Sequence, residues 1–463
     1  MKKVILFASA LAFTFSMGMA QNTATTTQSG DNNDTKVLQE GSSQEATVDQ
    51  IGNHNTANVD QYAESSTHGP GEQSAEVKQT GDKNVSKINM DQTGGGGKTI
   101  NKAHIEQLGD NNLSTQSVNA PGSNSGQNVW GYQEGNNNKI TQNITKGYTE
   151  TLNASQIGDD NKATQTSSGA HNTGNIDQNG NHNKANQEIS NLNNKVSISQ
   201  LGDWNEANQT FIGLNDFSHP NSGSINQEGR NNYAKQYVNG WDTKDASISQ
   251  DGDGNEAYQT VMGNENNVGI KQKGNGNFGK QDVTGNSNKV MLTHSNGSNN
   301  DSKQFVDGDG NDVEIMIAGS SNESYQKAEG SGNFQYYSAT NNVSANNVRI
   351  VQKGDKNYMK GSVRSNHGVD NDLNVLQNGN NNSLVTFQGS GANGGDPSDS
   401  HNTINVTQDG NDNMAGQKVG TNWDPGILQE GSWNTANLTQ IGDGNVADLI
   451  QQGGSNVANV IQQ

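Results

Sequence analysis

The chain has no cysteine, five prolines in 463 residues, 5% aromatic residues and only 28% hydrophobic residues. Without cysteine no disulfide can hold it folded. A globular chain carries roughly 45–50% apolar residues, so a set of ordinary packed cores is excluded. After the N-terminus no apolar run approaches the roughly 18 residues of a membrane-spanning helix, which predicts that the chain is not an integral membrane protein of the helical kind. Positive charge is also scarce, with 28 Lys and Arg against 48 Asp and Glu, for a net charge of -20. Phosphate backbones need clustered cations, so no nucleic acid partner is expected. Low hydrophobicity with high net charge is the composition of a disordered chain. Only a periodic pattern overturns that expectation.

The N-terminus reads as an address. Lys2 and Lys3 precede an apolar run from Val4 to Phe15, and Gly18, Met19 and Ala20 offer a small-residue cleavage site. This is the layout of a secretory signal peptide over residues 1–20. It predicts an exported chain with a short segment at 21–27 before the first repeat.

What is present is a repeat. In the middle of the chain QxG recurs with its glutamine at 156, 178, 200, 227, 250 and 272, and a second glutamine follows nine residues later at 165, 187, 209, 236, 259 and 281. Two further units keep the second glutamine as Gln304 and Gln326, while the first is replaced by Ser295 and Ile317. The unit from Gln250 to Gln272 alternates Asn255, Ala257 and Gln259, then Asn266, Val268, Ile270 and Gln272. Alternation of this kind marks strands with one face turned inward. Between them the GxxN steps at Gly252 and Gly263 are turns, because Gly and Asn accept positive φ cheaply.

Near both ends the spacing is 11, with glutamine at 28, 39, 50 and 61 and again at 429, 440, 451 and 462. Asn55 and Ala57 follow Gln50; Asn434, Asn445 and Asn456 take the matching positions near the C-terminus. Scattered copies begin at Gln79, Gln107, Gln133, Gln352, Gln377 and Gln408. The repeat region is therefore 28–463. Insertions near 62–72, 93–99, 119–127, 216–223, 389–400 and 421–426 hold Pro70, Pro121, Pro220, Pro397 and Pro425, residues that cannot donate to a strand ladder.

Stacking such units sets each glutamine over the next, so that amide ladders and a few aliphatic side chains form a narrow interior. The expected fold class is all-β: a β-solenoid with two short strands per turn of about 22 residues, stacked in parallel cross-β fashion. At roughly 4.8 Å per turn, ~18 turns make a rod on the order of 85 Å long. The regular terminal units, expected to be the most apolar on their inward face, suggest adhesive ends and end-to-end polymerisation.

In these motifs the chain resembles the curlin repeat of curli fibre subunits, strongly in the terminal units and more weakly over nearly all of 28–463. The resemblance implies an extracellular functional amyloid of biofilm matrix, involved in adhesion and aggregation of cells. It implies self as the main partner, with a nucleator subunit and an outer-membrane secretion pore. It also implies that Gln39, Gln50, Asn55, Gln440, Asn445, Gln451 and Asn456 drive assembly. By extension Ala57, Gln61, Gln250, Asn255, Gln259, Asn266, Gln272, Gln429, Asn434 and Gln462 are ladder residues. Asp251, Asp253, Asp307 and Asp309 are candidate gatekeepers, whose stacked carboxylates would slow premature aggregation; turn-former preference explains them equally well. The central division of nine plus thirteen departs from the family's even eleven plus eleven.

No enzyme is expected, and no cofactor. "GNGNFG" at 274–279 satisfies a dinucleotide pattern without the strand and helix that pattern needs. The carboxylates of "DGDGNDVE" at 307–314 lack the register of a calcium loop. His54 and His182 share one turn position, where solvated turn residues are a better account than a metal ligand row. A monomeric extracellular solenoid that binds a surface, polysaccharide or ice, is the alternative function, followed by a calcium-dependent adhesin. The first of these calls for a regular outward array, which Glu256, Tyr258, Asn267, Gly269 and Lys271 do not provide.

Overall fold

In the computed structural model the described residues are 21–63, 72–92, 100–119, 126–213, 220–340, 344–364, 369–389, 401–419 and 422–463. The segment assigned to a signal peptide and most of the expected insertions lie outside them. The described residues form strands, turns and bends with no helix. Strand, turn, strand, turn repeats along the chain, and alternate strands belong to two facing parallel sheets. The first sheet runs Thr23–Ser29, Gln44–Ile51, Glu72–Thr80 and onward to Leu449–Gln452. The second runs Asp34–Glu40, Thr56–Ala63, Val85–Gln92 and onward to Val457–Gln462. Seventeen pairing steps link eighteen levels in the second sheet. The fold is thus a β-solenoid with two strands per turn.

One excursion breaks the parallel order. Met414 and Ala415 pair with Ser383 and Leu384, after which the chain leaves the sheet as an antiparallel hairpin, with Gly416 to Val419 paired to Asn422–Pro425. It re-enters at Ile427 opposite Thr386. Pro425 therefore sits in an outlying hairpin, where a missing ladder donor costs nothing.

The interior is one side chain deep from each sheet. Ala257, Val261, Val268 and Ile270 are buried, as are the polar Asn255, Gln259, Asn266 and Gln272 between them. Size is matched across the gap: a Cβ on Gly223 would lie 2.0 Å from Cζ of the buried Phe211. Turn geometry is fixed by glycine. Gly252 has φ +124°, and a Cβ there would meet the Gly274 carbonyl oxygen of the next level at 2.3 Å. Only glycine permits that approach.

The register corrects two details of the sequence reading. His294, and not Ser295, stands opposite Gln272 and Ile317, because this step is 22 residues long and not 23. The N-terminal level is also not unusually apolar: Ala24, Thr26, Thr35 and Val37 hold the positions that Ala46, Val48, Ala57 and Val59 hold one level on.

Candidate functional site

Three side-chain columns run along the solenoid, and they are its candidate functional elements. In the first sheet Gln28 donates from Nε2 to Oε1 of Gln50 at 2.7 Å, and Gln50 to Gln79 at 2.8 Å. The column continues level by level until Gln250 donates to Gln272 at 3.0 Å. It is then replaced by His294, Ile317, Ala339 and Val363, and resumes as Gln388, Gln429 and Gln451.

The second sheet shows a feature that the sequence pattern conceals. Gln39 donates to Gln61 at 2.9 Å, but the residue paired with Gln61 is Met90 and the next is Val118. From Gln116 to Gln326 the glutamines occupy the neighbouring inward position, two residues earlier in the strand, where Val37, Val59 and Ile88 stood before. Gln259 belongs to this shifted column, between Gln236 and Gln281. At Gln352 the column returns to its first position, and it runs through Gln377, Gln408 and Gln440 to Gln462. The nine-plus-thirteen spacing is this hop. The strands themselves remain evenly placed, with Asn255, Asn266, Asn277 and Asn288 each ending a turn.

The third kind of column is asparagine at the turns. Asn33 Oδ1 accepts the Asn55 backbone N–H at 3.0 Å, and Asn55 Nδ2 donates to the Gly81 carbonyl at 2.7 Å, so each asparagine is tied to the preceding level by its backbone N–H and to the following one by its side chain. Asn255 and Asn434 repeat both contacts. Asn266 donates to Gly285 and accepts from Asn288. Asn445 and Asn456, at the last level, bond back to Asn413 and Asn434. Gln50, Asn55, Ala57, Gln61, Gln250, Gln429, Gln440 and Gln451 are buried. Gln39 and Gln462, on the outermost levels, are half-buried.

The columns have a direction, since in their Gln–Gln bonds Nε2 of the earlier glutamine donates to Oε1 of the later one. The first glutamine of each internal column accordingly lacks a donor: Oε1 of Gln116, Gln352 and Gln388 is buried with no partner. An orphaned buried acceptor costs roughly 1–3 kcal/mol, which is a reason for so few column starts.

Two titratable groups replace column amides, and no sequence motif marks either of them. Glu150 occupies an asparagine position, accepting from Asn172 Nδ2 at 3.1 Å, and burial pushes its carboxyl up to about 7 against the opposing hydrogen bonds of Ser167 and Asn172. His294 occupies a glutamine position, 2.7 Å from Ser302 Oγ, and burial holds its imidazole down to about 3. Neither could be found without knowing the register.

Of the candidate gatekeepers, Asp253 and Asp309 lie in turns, and Asp251 and Asp307 end the strands that lead into them. Asp253 Oδ1 accepts the Arg230 N–H at 2.8 Å and Asp309 Oδ1 the Asn286 N–H at 2.7 Å, so both also link levels. Asp251 lies 3.7 Å from Lys273. Asp307 is paired in register with Thr284 and Glu329. Among the described residues no three His, Cys, Asp or Glu side chains gather as a metal site, and no helix is long and apolar enough to cross a membrane.

A family model described as the curlin associated repeat matches residues 30–62, 245–274 and 401–442. In these three segments the chain is similar to the curlin associated repeat. Those three matches fall on the first two levels, on the middle of the rod and on the levels just before the last, so the similarity recurs along the solenoid. No curated protein matches the chain.

Proposed function

We propose that the protein is a structural subunit that self-assembles end to end into extracellular, curli-like amyloid fibres of a biofilm matrix, and so serves adhesion and aggregation of cells. One observation carries this reading: the two ends of the rod are complementary. Among the described residues no strand pairs with the outer edges of Thr23–Ser29 and Asp34–Glu40, or with those of Leu449–Gln452 and Val457–Gln462. At the last level Gln451 and Gln462 hold the same two column positions as Gln28 and Gln39 at the first. A second copy stacked head to tail would let Gln451 donate to Gln28 and Gln462 to Gln39, continuing both columns in their own direction. Its strands would add to exposed edges by the same parallel pairing. The shifted central column matches neither end.

In this reading residues 1–20 direct export, and the fibre begins on a nucleator after passage through an outer-membrane pore. Gln39, Gln50, Gln440, Gln451 and Gln462 act by extending the columns. Fibre diffraction of the mature protein is expected to give a meridional spacing of about 4.7–4.8 Å. Deletion of residues 429–463, which removes the open donors Gln451 and Gln462, is expected to slow assembly strongly; unchanged assembly kinetics would count against the end-to-end joint.

A further inference from the structure

In the turn before each strand of the second sheet, one residue takes a left-handed conformation at level after level, among them Asn32, Asn111 and Asn231 at φ +55° to +57°. Asn and Gly enter this region cheaply, whereas a bulky side chain there is an outlier. Yet the column twice holds tryptophan, Trp204 at φ +62° and Trp433 at φ +64°. Each is preceded in the column by histidine and, one level earlier, by aspartate. His182 stacks on Trp204 with ring centroids 4.0 Å apart and planes 19° apart, and His401 stacks on Trp433 at 4.0 Å and 6°. Asp160 Oδ2 lies 3.8 Å from His182, and Asp370 Oδ2 lies 3.3 Å from His401. The two indoles remain 58% and 60% exposed. Among the described residues neither indole is part of the buried core, and asparagine would satisfy the turn at lower cost.

We propose that each Asp–His–Trp stack is a binding platform for a pyranose ring, and that the protein holds a neutral polysaccharide along this edge. An indole face is electron-rich and attracts the weakly positive C–H face of a sugar ring. Beside it, the carboxylate accepts from sugar hydroxyls, and the imidazole exchanges hydrogen bonds with them. The net charge of -20 disfavours polyanions.

The spacing favours a polymer over a free sugar. The strands after the two tryptophans, Glu206–Ile212 and Thr435–Ile441, are nine pairing steps apart in the second sheet. At roughly 4.8 Å per step this places the platforms about 43 Å apart. One extended glycan reaches both, and its second contact is intramolecular. This much holds for a single chain. If copies join head to tail, as proposed above, eighteen levels per chain put the next copy's Trp204 again nine levels beyond Trp433. The fibre edge then carries a uniform row of platforms.

The test is retention of the full chain on amorphous cellulose, with alginate as the polyanion, for dilute monomer and for assembled protein separately. Trp204→Asn and Trp433→Asn place the turn's own preferred residue in the column, and both variants are expected to fold and assemble as the parent does. Each substitution should cost roughly tenfold in retention and the pair should abolish it, while alginate is not retained by any form. Equal retention of the parent and the double variant, no retention of the parent, or equal retention on alginate would each overturn the proposal. Fibres that form normally but fail to bind cellulose defeat this inference alone; monomer that binds cellulose but never forms fibres defeats only the assembly reading.

Discussion

Between residues 128 and 273 both sheets carry unbroken glutamine columns, whereas between 289 and 364 the first sheet replaces its column with His294, Ile317, Ala339 and Val363. The parallel strands and turns are the same in both stretches. Around the replacement the interior fills with Ile315, Tyr337, Met359 and Leu373. At its edge Gln272, with no glutamine to receive it, donates to the carbonyls of Glu256 and Asn277. A column position thus accepts either amides or apolar groups, but it favours long runs of one kind. Each change of kind leaves an amide to be satisfied elsewhere or not at all, as with the orphaned Oε1 of Gln388.

Backbone form is therefore set by the turns, not by the columns, and the largest predicted effects test that. Gly252→Ala in the laddered stretch would bring a Cβ to 2.3 Å from the Gly274 oxygen, and Gly308→Ala in the apolar stretch to 2.0 Å from the Gly330 oxygen. Both have φ well into the positive range, +124° and +133°. Each is expected to cost about 4 kcal/mol or more, the range of the severest single substitutions, in denaturant titrations. A mild effect at Gly308 alone would mean that the apolar filling, and not the turn, holds those levels.

Exchanging the two kinds of interior should cost less. Gln200 accepts from Gln178 and donates to Gln227, each at 2.8 Å. Gln200→Leu strands one donor and one acceptor, a loss of roughly 2–4 kcal/mol. The reverse change, Ile317→Gln, buries an amide between His294 and Ala339 and should cost roughly 1–3 kcal/mol. If Ile317→Gln were neutral in the same titration, columns of one kind would not be required.

The two buried titratable groups sharpen the contrast with opposite signs. Glu150, in the laddered stretch, has its folded pKa raised from 4.5 to about 7. Its contribution is full below about pH 4.5 and is lost as pH rises through about 7, on the order of 3 kcal/mol. His294, at the edge of the apolar stretch, is lowered from 6.5 to about 3. Its contribution is full above about pH 6.5 and is lost progressively as pH falls toward 3. Urea titrations from pH 4 to 9 should therefore show Glu150→Gln removing a loss of stability that develops as pH rises from about 4.5 to about 7, and His294→Gln removing one that develops as pH falls below about 6.5. An unchanged slope between about pH 4.5 and 7 in Glu150→Gln would mean that Glu150 does not carry that loss.

Much of this was legible in the sequence. Alternation around Asn255, Ala257 and Gln259 identifies strands, and the double glutamine series identifies a solenoid with two strands per turn. The hop from Gln61 to Gln116 was not legible, because a glutamine moved by two residues still points inward and satisfies the same alternation. His294 was missed because a variable turn length hides the register wherever the glutamine itself is gone. The complementarity of Gln28 with Gln451 was equally hidden, since it rests on bond direction, which spacing does not contain.

The smallest stability effect is expected at the turns' carboxylates, and it separates two roles that coincide in one residue. Asp253 Oδ1 accepts the Arg230 N–H, while Asp253's own N–H donates to Asn275 Oδ1. Asparagine therefore already does at the next level what the carboxylate does here. Asp253→Asn keeps that acceptor and removes only the charge, so stability should change by no more than about 0.5 kcal/mol. If charge restrains stacking, the Asp251→Asn, Asp253→Asn double variant shortens the lag of thioflavin-monitored assembly, and more so at low ionic strength, where screening is weak. An unchanged lag at low salt would leave Asp253 with the structural role alone and remove the basis for calling it a gatekeeper.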